Sequence, residues 1–111
     1  MKNTKKHGTY LRRPTKVTVL NQDFSIEWLA TGDTMGCVDL NACVIQVVKS
    51  YPKRTVAATL LHELIHAINH VMGTTDETSE EVVTRNLETG LSTVWIHNPR
   101  VFEWIHKQFN T

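Results

Sequence analysis

The chain has 111 residues, a formal net charge of +1 and 41% hydrophobic residues, which fits one globular domain. A charge this close to zero argues against nucleic-acid binding, and no apolar run approaches the length that spans a bilayer. The first 15 residues are polar and basic, so we expect a flexible N-terminus (1–15) before a single domain (16–111). The N-terminus also lacks the apolar core of a signal peptide, which predicts a cytoplasmic protein in which Cys37 and Cys43 are free thiols.

The first half of the domain has the pattern of β-strands. Apolar residues alternate with polar ones at 17–19 and again at 24–28, and β-branched and aromatic residues are frequent in both runs. Shorter apolar runs at 38–40 and 44–48 predict two further strands. The sequence therefore predicts four short strands before residue 50.

Three helices are predicted in the second half. Apolar residues recur with helical spacing over 55–72, where Thr55 is a candidate N-cap and Gly73 a candidate C-cap. A second helix is predicted over 79–96, and Pro99 can start a third. Strands followed by helices indicate an α+β fold.

The first predicted helix carries the pattern H-E-x-x-H. Residues four apart on a helix point nearly the same way, so His62 and His66 can bind one zinc ion together. Glu63 follows the first histidine, where its carboxylate can act as a general base on a metal-bound water. The pattern predicts zinc-dependent hydrolysis of an amide bond.

A catalytic zinc usually takes three protein ligands. His70 is rejected as the third, because it lies about 12 Å from His62 along the helix axis. The best candidates are Glu80 and Glu81, in the first turn of the next predicted helix, which can fold back against the first. Glu81 also ends the pattern Thr78-x-x-Glu81, which is typical of a capping box, so a purely structural role for it is an alternative.

The sequence resembles the zincin metallopeptidases, most nearly the small phage-type members whose third ligand is a glutamate. The similarity covers roughly residues 36–99. It rests on these segments: Gly36-Cys37-Val38-Asp39, Thr59 to Ile68 with the H-E-x-x-H pattern, Glu80-Glu81-Val82-Val83, Leu87-x-x-Gly90-Leu91 and Asn98-Pro99.

This resemblance implies a zincin-like fold, in which a small, twisted, mostly antiparallel sheet packs against the H-E-x-x-H helix and a second helix that carries a ligand. It favours Glu81 over Glu80, because the ligand glutamate of such peptidases precedes two small or apolar residues. It also implies that an extended peptide or protein substrate binds along an edge strand, which we expect at 44–49. If the chain is phage-encoded, its location is the host cytoplasm.

The predicted activity is therefore that of a zinc metallopeptidase with one Zn²⁺ ion and Glu63 as general base. His97, Tyr51 and His70 are candidates for stabilising the oxyanion. The alternative is a catalytically inert, zinc-stabilised binding module of a phage or prophage, in which the histidines serve folding and Glu63 is replaceable. The sequence leaves the substrate and the oligomeric state open.

Overall fold

The computed structural model of the chain describes residues 12–111, so most of the predicted flexible segment 1–15 lies outside the described residues. Within residues 12–111, four strands are followed by three helices, which confirms the α+β prediction. In chain order the elements are β1 (Lys16–Val19), β2 (Gln22–Leu29), β3 (Gly36–Asp39), β4 (Val44–Val48), α1 (Lys53–Met72), α2 (Glu80–His97) and α3 (Pro99–Phe109). None of the helices in this described part is long and apolar enough to cross a membrane.

The four strands form one mixed sheet in the order β1-β2-β4-β3. β1 pairs antiparallel with β2, and β3 pairs antiparallel with β4, as expected for two hairpins. The central pair, β2 with β4, is parallel, so the sheet is mixed. The prediction that residues 44–49 form an edge strand is wrong, because β4 lies between β2 and β3.

One face of the sheet forms the core together with the helices. The period-two alternation of β1 and β2 places apolar side chains on this face and polar side chains on the other. The buried side chains of this face are Val17, Val19, Phe24, Ile26, Ile45 and Val47. Apolar burial of this kind is the main favourable contribution to folding.

Helix α1 lies against this face and spans two residues more at its start than predicted. Its N-cap is Pro52, which makes no side-chain capping bond, so the prediction that Thr55 caps the helix is wrong. Gly73 is the C-cap, as predicted, with φ of 75° in the left-handed region that glycine adopts at little cost. The buried residues of α1 form one stripe with helical spacing, in which single residues or adjacent pairs recur once per turn: Val56, Ala57, Leu60, Glu63, Leu64, Ala67 and Ile68.

Helix α2 runs antiparallel to α1. A Cβ atom built on Gly90 would overlap with Cγ2 of Ile68, so the absence of a side chain allows the helices to approach closely. Nearer the start of α2, Asn86 donates a hydrogen bond to the hydroxyl of Thr74, which lies beyond the end of α1. The first turn of α2 therefore extends past the C-terminal end of α1.

The start of α2 is not capped by Thr78, as the capping-box pattern Thr78-x-x-Glu81 would require. Ser79 is the N-cap, and its hydroxyl accepts a hydrogen bond from the Val82 N–H at 3.4 Å. The Thr78 hydroxyl instead accepts a bond from the Thr75 N–H at 2.8 Å, within the loop. Glu81 is therefore not part of a Thr78-based capping box.

The two edges of the sheet differ. At β1, the carboxamide of Asn98 accepts a hydrogen bond from the Thr18 N–H at 2.9 Å and donates one to the Thr18 C=O at 2.7 Å. This side chain occupies the position of a neighbouring strand and blocks further pairing there. The residues described here include no comparable side-chain clamp across the middle of β3.

Candidate functional site

His62 and His66 lie one turn apart on the exposed flank of α1. Their ring centroids are 4.8 Å apart and their planes meet at 79°, so the rings are neighbours that do not stack. The i, i+4 spacing produces this arrangement, as expected from the sequence.

Glu63 lies on the same turn, on the side of the helix that faces β3, and is 6% exposed. It is the one buried charged residue in the part of the chain that the structure describes. Its place in α1 continues the buried stripe through Leu60 and Leu64, which accounts for its burial. Burial of a carboxylate is costly without a compensating partner, so a residue of this kind in a cleft is a candidate for function.

A cavity of about 470 Å³ opens between the first half of α1 and the start of β3. Its volume is within the usual range for ligand sites. Both Glu63 and His62 line it, whereas His66 lies one turn further along the helix. The lining residues are Thr34, Met35, Gly36, Thr55, Ala58, Thr59, His62 and Glu63.

Gly36 brings β3 close to the catalytic candidates. A Cβ atom built at this position would lie 2.6 Å from Cγ2 of Thr59 and 3.4 Å from Oε2 of Glu63. It would also lie 3.0 Å from the backbone carbonyl oxygen of Gln46 on β4. The missing side chain therefore lets the edge strand pass directly over the carboxylate of Glu63.

The backbone of β3 presents hydrogen-bonding groups at this edge. The Val48 N–H donates to the Met35 C=O at 2.9 Å, and Gly36 is opposite Val47. Hydrogen-bonded and non-hydrogen-bonded pairs alternate in an antiparallel ladder. Gly36 and Val38 therefore belong to non-hydrogen-bonded pairs and direct their N–H and C=O groups away from β4.

The structure does not bring Glu80 or Glu81 to the histidines. Gly90 packs at the level of Ile68 in the antiparallel pair of helices. From the level of this contact, Glu81 lies nine residues away in one direction along α2, and His66 lies two residues away in the other direction along α1. The two side chains are therefore about 16 Å apart along the helix axes. The Glu81 side chain is 83% exposed and lies 3.8 Å from Arg85.

Among the described residues, no third metal ligand therefore lies beside the two histidines. Within residues 12–111, no group of three or more His, Cys, Asp or Glu side chains is placed to hold a metal ion. His62 and His66 can fill two of the ligand positions of one zinc ion, because two neighbouring imidazoles on one helical face can direct nitrogen atoms at the same ion.

The candidates for oxyanion stabilisation lie apart from the cavity. Tyr51, His70 and His97 are all exposed, and none of them lines it. His97 ends α2 beside Asn98, which contacts β1, at the opposite edge of the sheet from β3.

Sequence reasoning identified His62 and Glu63 but missed the other walls of the cavity. Ala58 and Thr59 lie one turn before the H-E-x-x-H pattern, so helical spacing contained a signal for them. Thr34 and Met35 come from the β2–β3 connection, and their place depends on the order of the strands.

Comparisons with known proteins add no relative. No protein-family model matches the sequence, and neither the curated proteins nor the solved structures include a significant match.

Proposed function

We propose that this protein is a zinc-dependent metallopeptidase. The observation that carries the proposal is the juxtaposition on α1 of a buried carboxylate, Glu63, with the exposed pair His62 and His66, next to a cavity under a strand edge. A general base must reach the group whose proton it accepts while being partly shielded from bulk solvent, and the position of Glu63 in the cavity wall meets both conditions.

His62 and His66 are the residues that would hold the zinc ion. Zinc supplies Lewis-acid chemistry when bound: it lowers the pKa of water and polarises a carbonyl group. Glu63 accepts a proton at its carboxylate from the attacking water and transfers that proton to the nitrogen of the leaving amine. Burial of Glu63 by α1 and β3 keeps its carboxylate directed into the cavity.

The proposed substrate is an extended peptide that pairs with β3. The outward backbone groups of Gly36 and Val38 offer donors and acceptors to an added strand. One of them, the Gly36 C=O, accepts a hydrogen bond from the Thr34 hydroxyl at 3.0 Å, which an incoming peptide N–H would replace. The β1 edge is unsuitable because Asn98 already pairs with Thr18.

The metal site is tested by the zinc content of the purified protein, measured by elemental mass spectrometry. We expect one zinc per chain in the wild type and loss of zinc in His66→Ala. The matched control is His70→Ala, an exposed histidine one turn further along α1, which should keep its zinc. Equal zinc contents in the two variants, or no zinc in the wild type, would contradict the proposed site.

The third ligand is tested in the same assay with Glu80→Ala and Glu81→Ala. With the helices as they stand, neither change should remove the metal, because both glutamates are exposed and distant from His66. Loss of zinc in Glu81→Ala would mean that the first turn of α2 moves toward the histidines when the metal binds.

Catalysis is tested with Glu63→Gln, which preserves shape and removes the base. We expect this variant to bind zinc as the wild type does and to lose about 10²–10⁴-fold in peptide-cleavage rate. Cleavage at the parental rate by the variant would rule out Glu63 as the base.

A second candidate function is a zinc-stabilised binding module without catalysis. The observation that favours it is the assembly of only two potential ligands around the histidine pair in the described structure. In that case the wild type and Glu63→Gln would bind the same peptides, neither would cleave them, and removal of zinc would lower the melting temperature of both.

A further inference from the structure

β3 is the edge of the sheet at which a further strand can pair. In the part of the chain that the structure describes, its one neighbouring strand is β4. Exposed edge strands are commonly protected by lysine, proline or a bulge, whereas β3 consists of glycine, cysteine, valine and aspartate, with its one charge at the end. The opposite edge, β1, is blocked by the side chain of Asn98.

The hydrogen-bonding groups of this edge are symmetric about Cys37. Residues 35–39 lie opposite β4 in an unbroken ladder. Within this run, Gly36 and Val38 direct their N–H and C=O groups away from β4, and Cys37 is the residue midway between them. A second copy of β3, placed antiparallel about a two-fold axis at Cys37, therefore faces each outward donor with an outward acceptor.

We propose that two copies of this chain associate through β3, in the register that places Cys37 opposite Cys37 and Gly36 opposite Val38. Within each pair of Gly36 with Val38, the two residues exchange both N–H···O=C bonds, as hydrogen-bonded pairs of an antiparallel ladder do. The two four-stranded sheets then form one continuous sheet. This inference goes beyond the proposed function and does not depend on it.

The register follows from the length of the run that can pair. Centred on Cys37, the pairing aligns all of residues 35–39 with the same residues of the second copy. A shift by one residue would set the outward groups of one copy against residues whose groups point to β4. A shift by two would align only three of these five residues.

The facing side chains are compatible with this pairing. Cys37 is small and exposed, so it admits the same residue of the second copy opposite it. Gly36 presents no side chain to Val38 of the second copy. Asp39 lies opposite Met35 rather than opposite another carboxylate, so no like charges oppose each other within residues 35–39.

Association through β3 and the binding of a peptide there exclude each other, because both use the outward groups of Gly36 and Val38. Either occupant also has to displace the Thr34 hydroxyl, which donates a hydrogen bond to the Gly36 C=O at 3.0 Å. A contact made by such a short strand is small for a stable interface. The association is therefore a transient one that requires concentrated protein.

The association is tested by sedimentation velocity at increasing protein concentration, with EDTA present so that no zinc ion links two copies. We expect the wild type to shift from monomer to dimer. Cys37→Glu and Cys37→Lys each place like charges about 5 Å apart across the axis and should weaken the association about tenfold or more. An equimolar mixture of the two variants should restore it, because opposite charges then face each other.

The matched control is Ser25→Glu, which adds the same charge to an exposed position of β2 on the same face of the sheet, away from β3. This variant should associate as the wild type does. A wild type that stays monomeric at every concentration, or charged variants at Cys37 that associate normally, would overturn the inference. An equal loss of association in Ser25→Glu would also overturn it. None of these outcomes bears on zinc binding or cleavage, which are measured separately.

Cross-linking tests the register itself. Diamide oxidises two neighbouring thiols to a disulfide and takes up the two electrons and two protons that they release. Cα atoms in a non-hydrogen-bonded pair are about 4.5 Å apart, within the range that a disulfide spans. We expect peptide mass mapping to identify a disulfide between the Cys37 residues of two copies, at a yield that rises with protein concentration. Linkage through Cys43 in place of Cys37 would refute this pairing.

Discussion

The close approach of β3 to α1 predicts a specific cost for a side chain at Gly36. In Gly36→Ala the new Cβ would lie 2.6 Å from Cγ2 of Thr59 and 3.0 Å from the backbone oxygen of Gln46. Carbon atoms in favourable contact are about 3.5–4.0 Å apart, so the overlap with Thr59 is about 1 Å. Overpacking of this kind typically costs about 1–3 kcal/mol.

The expected net loss is smaller than the overlap alone implies. Replacing glycine by alanine reduces the entropy of the unfolded chain, which contributes about 0.4–1 kcal/mol in the opposite direction. We therefore expect Gly36→Ala to lower the free energy of unfolding by about 1–2 kcal/mol. For a chain of this size the melting temperature should fall by roughly 4 °C or more.

The assay is urea unfolding of a double-mutant cycle in which Thr59→Ser is the second change. Serine lacks Cγ2 but keeps the hydroxyl, which donates to the Thr55 C=O at 2.7 Å. In the Thr59→Ser background the cost of Gly36→Ala should fall by about 1 kcal/mol, since the closest contact is removed and those with the Gln46 oxygen and Oε2 of Glu63 remain. The same cost in both backgrounds would refute the reasoning that Gly36 is required by its distance from Thr59.

Two other predictions concern the β1 edge and its hairpin. Asn98→Ala should lower the free energy of unfolding, measured by thermal unfolding, by about 1–3 kcal/mol, because it leaves the part-buried N–H and C=O of Thr18 without partners. The control is Asn110→Ala, at an exposed asparagine at the end of α3, which should change the free energy of unfolding by no more than about 0.5 kcal/mol. An equal loss in both variants would contradict this role of Asn98. A hydrogen bond from the Thr18 hydroxyl and the charge of Lys16 lower the pKa of Asp23 below its ordinary value. The Asp23 carboxylate therefore contributes its full stabilisation above pH about 4, and this contribution is lost as the pH falls through the lowered pKa. Asp23→Asn should therefore be slightly less stable than the wild type at pH 6 and equal to it at pH 2, whereas a difference that persists at pH 2 would exclude the charge as its cause.

Local patterns in the sequence were sufficient for the elements themselves. Period-two alternation predicted the first two strands, and helical spacing predicted α1 to within two residues at its start. The capping residues were less predictable, because Pro52 and Ser79 occupy the positions expected for Thr55 and Thr78. Several residues at each helix end can serve as caps, and the path of the preceding loop selects among them.

By itself the sequence determined the juxtaposition of His62 with His66 and the place of Glu63 on the same helical turn, because both follow from the geometry of a single helix. Only the tertiary structure decided which strand forms the edge over Glu63, and how far Glu81 lies from the histidines. The physical reason is that strand order and the offset between helices depend on contacts between residues distant in the chain, such as Gly90 with Ile68. Local periodicity carries no information about such contacts, since it specifies which face of an element is buried but not the neighbour that covers it.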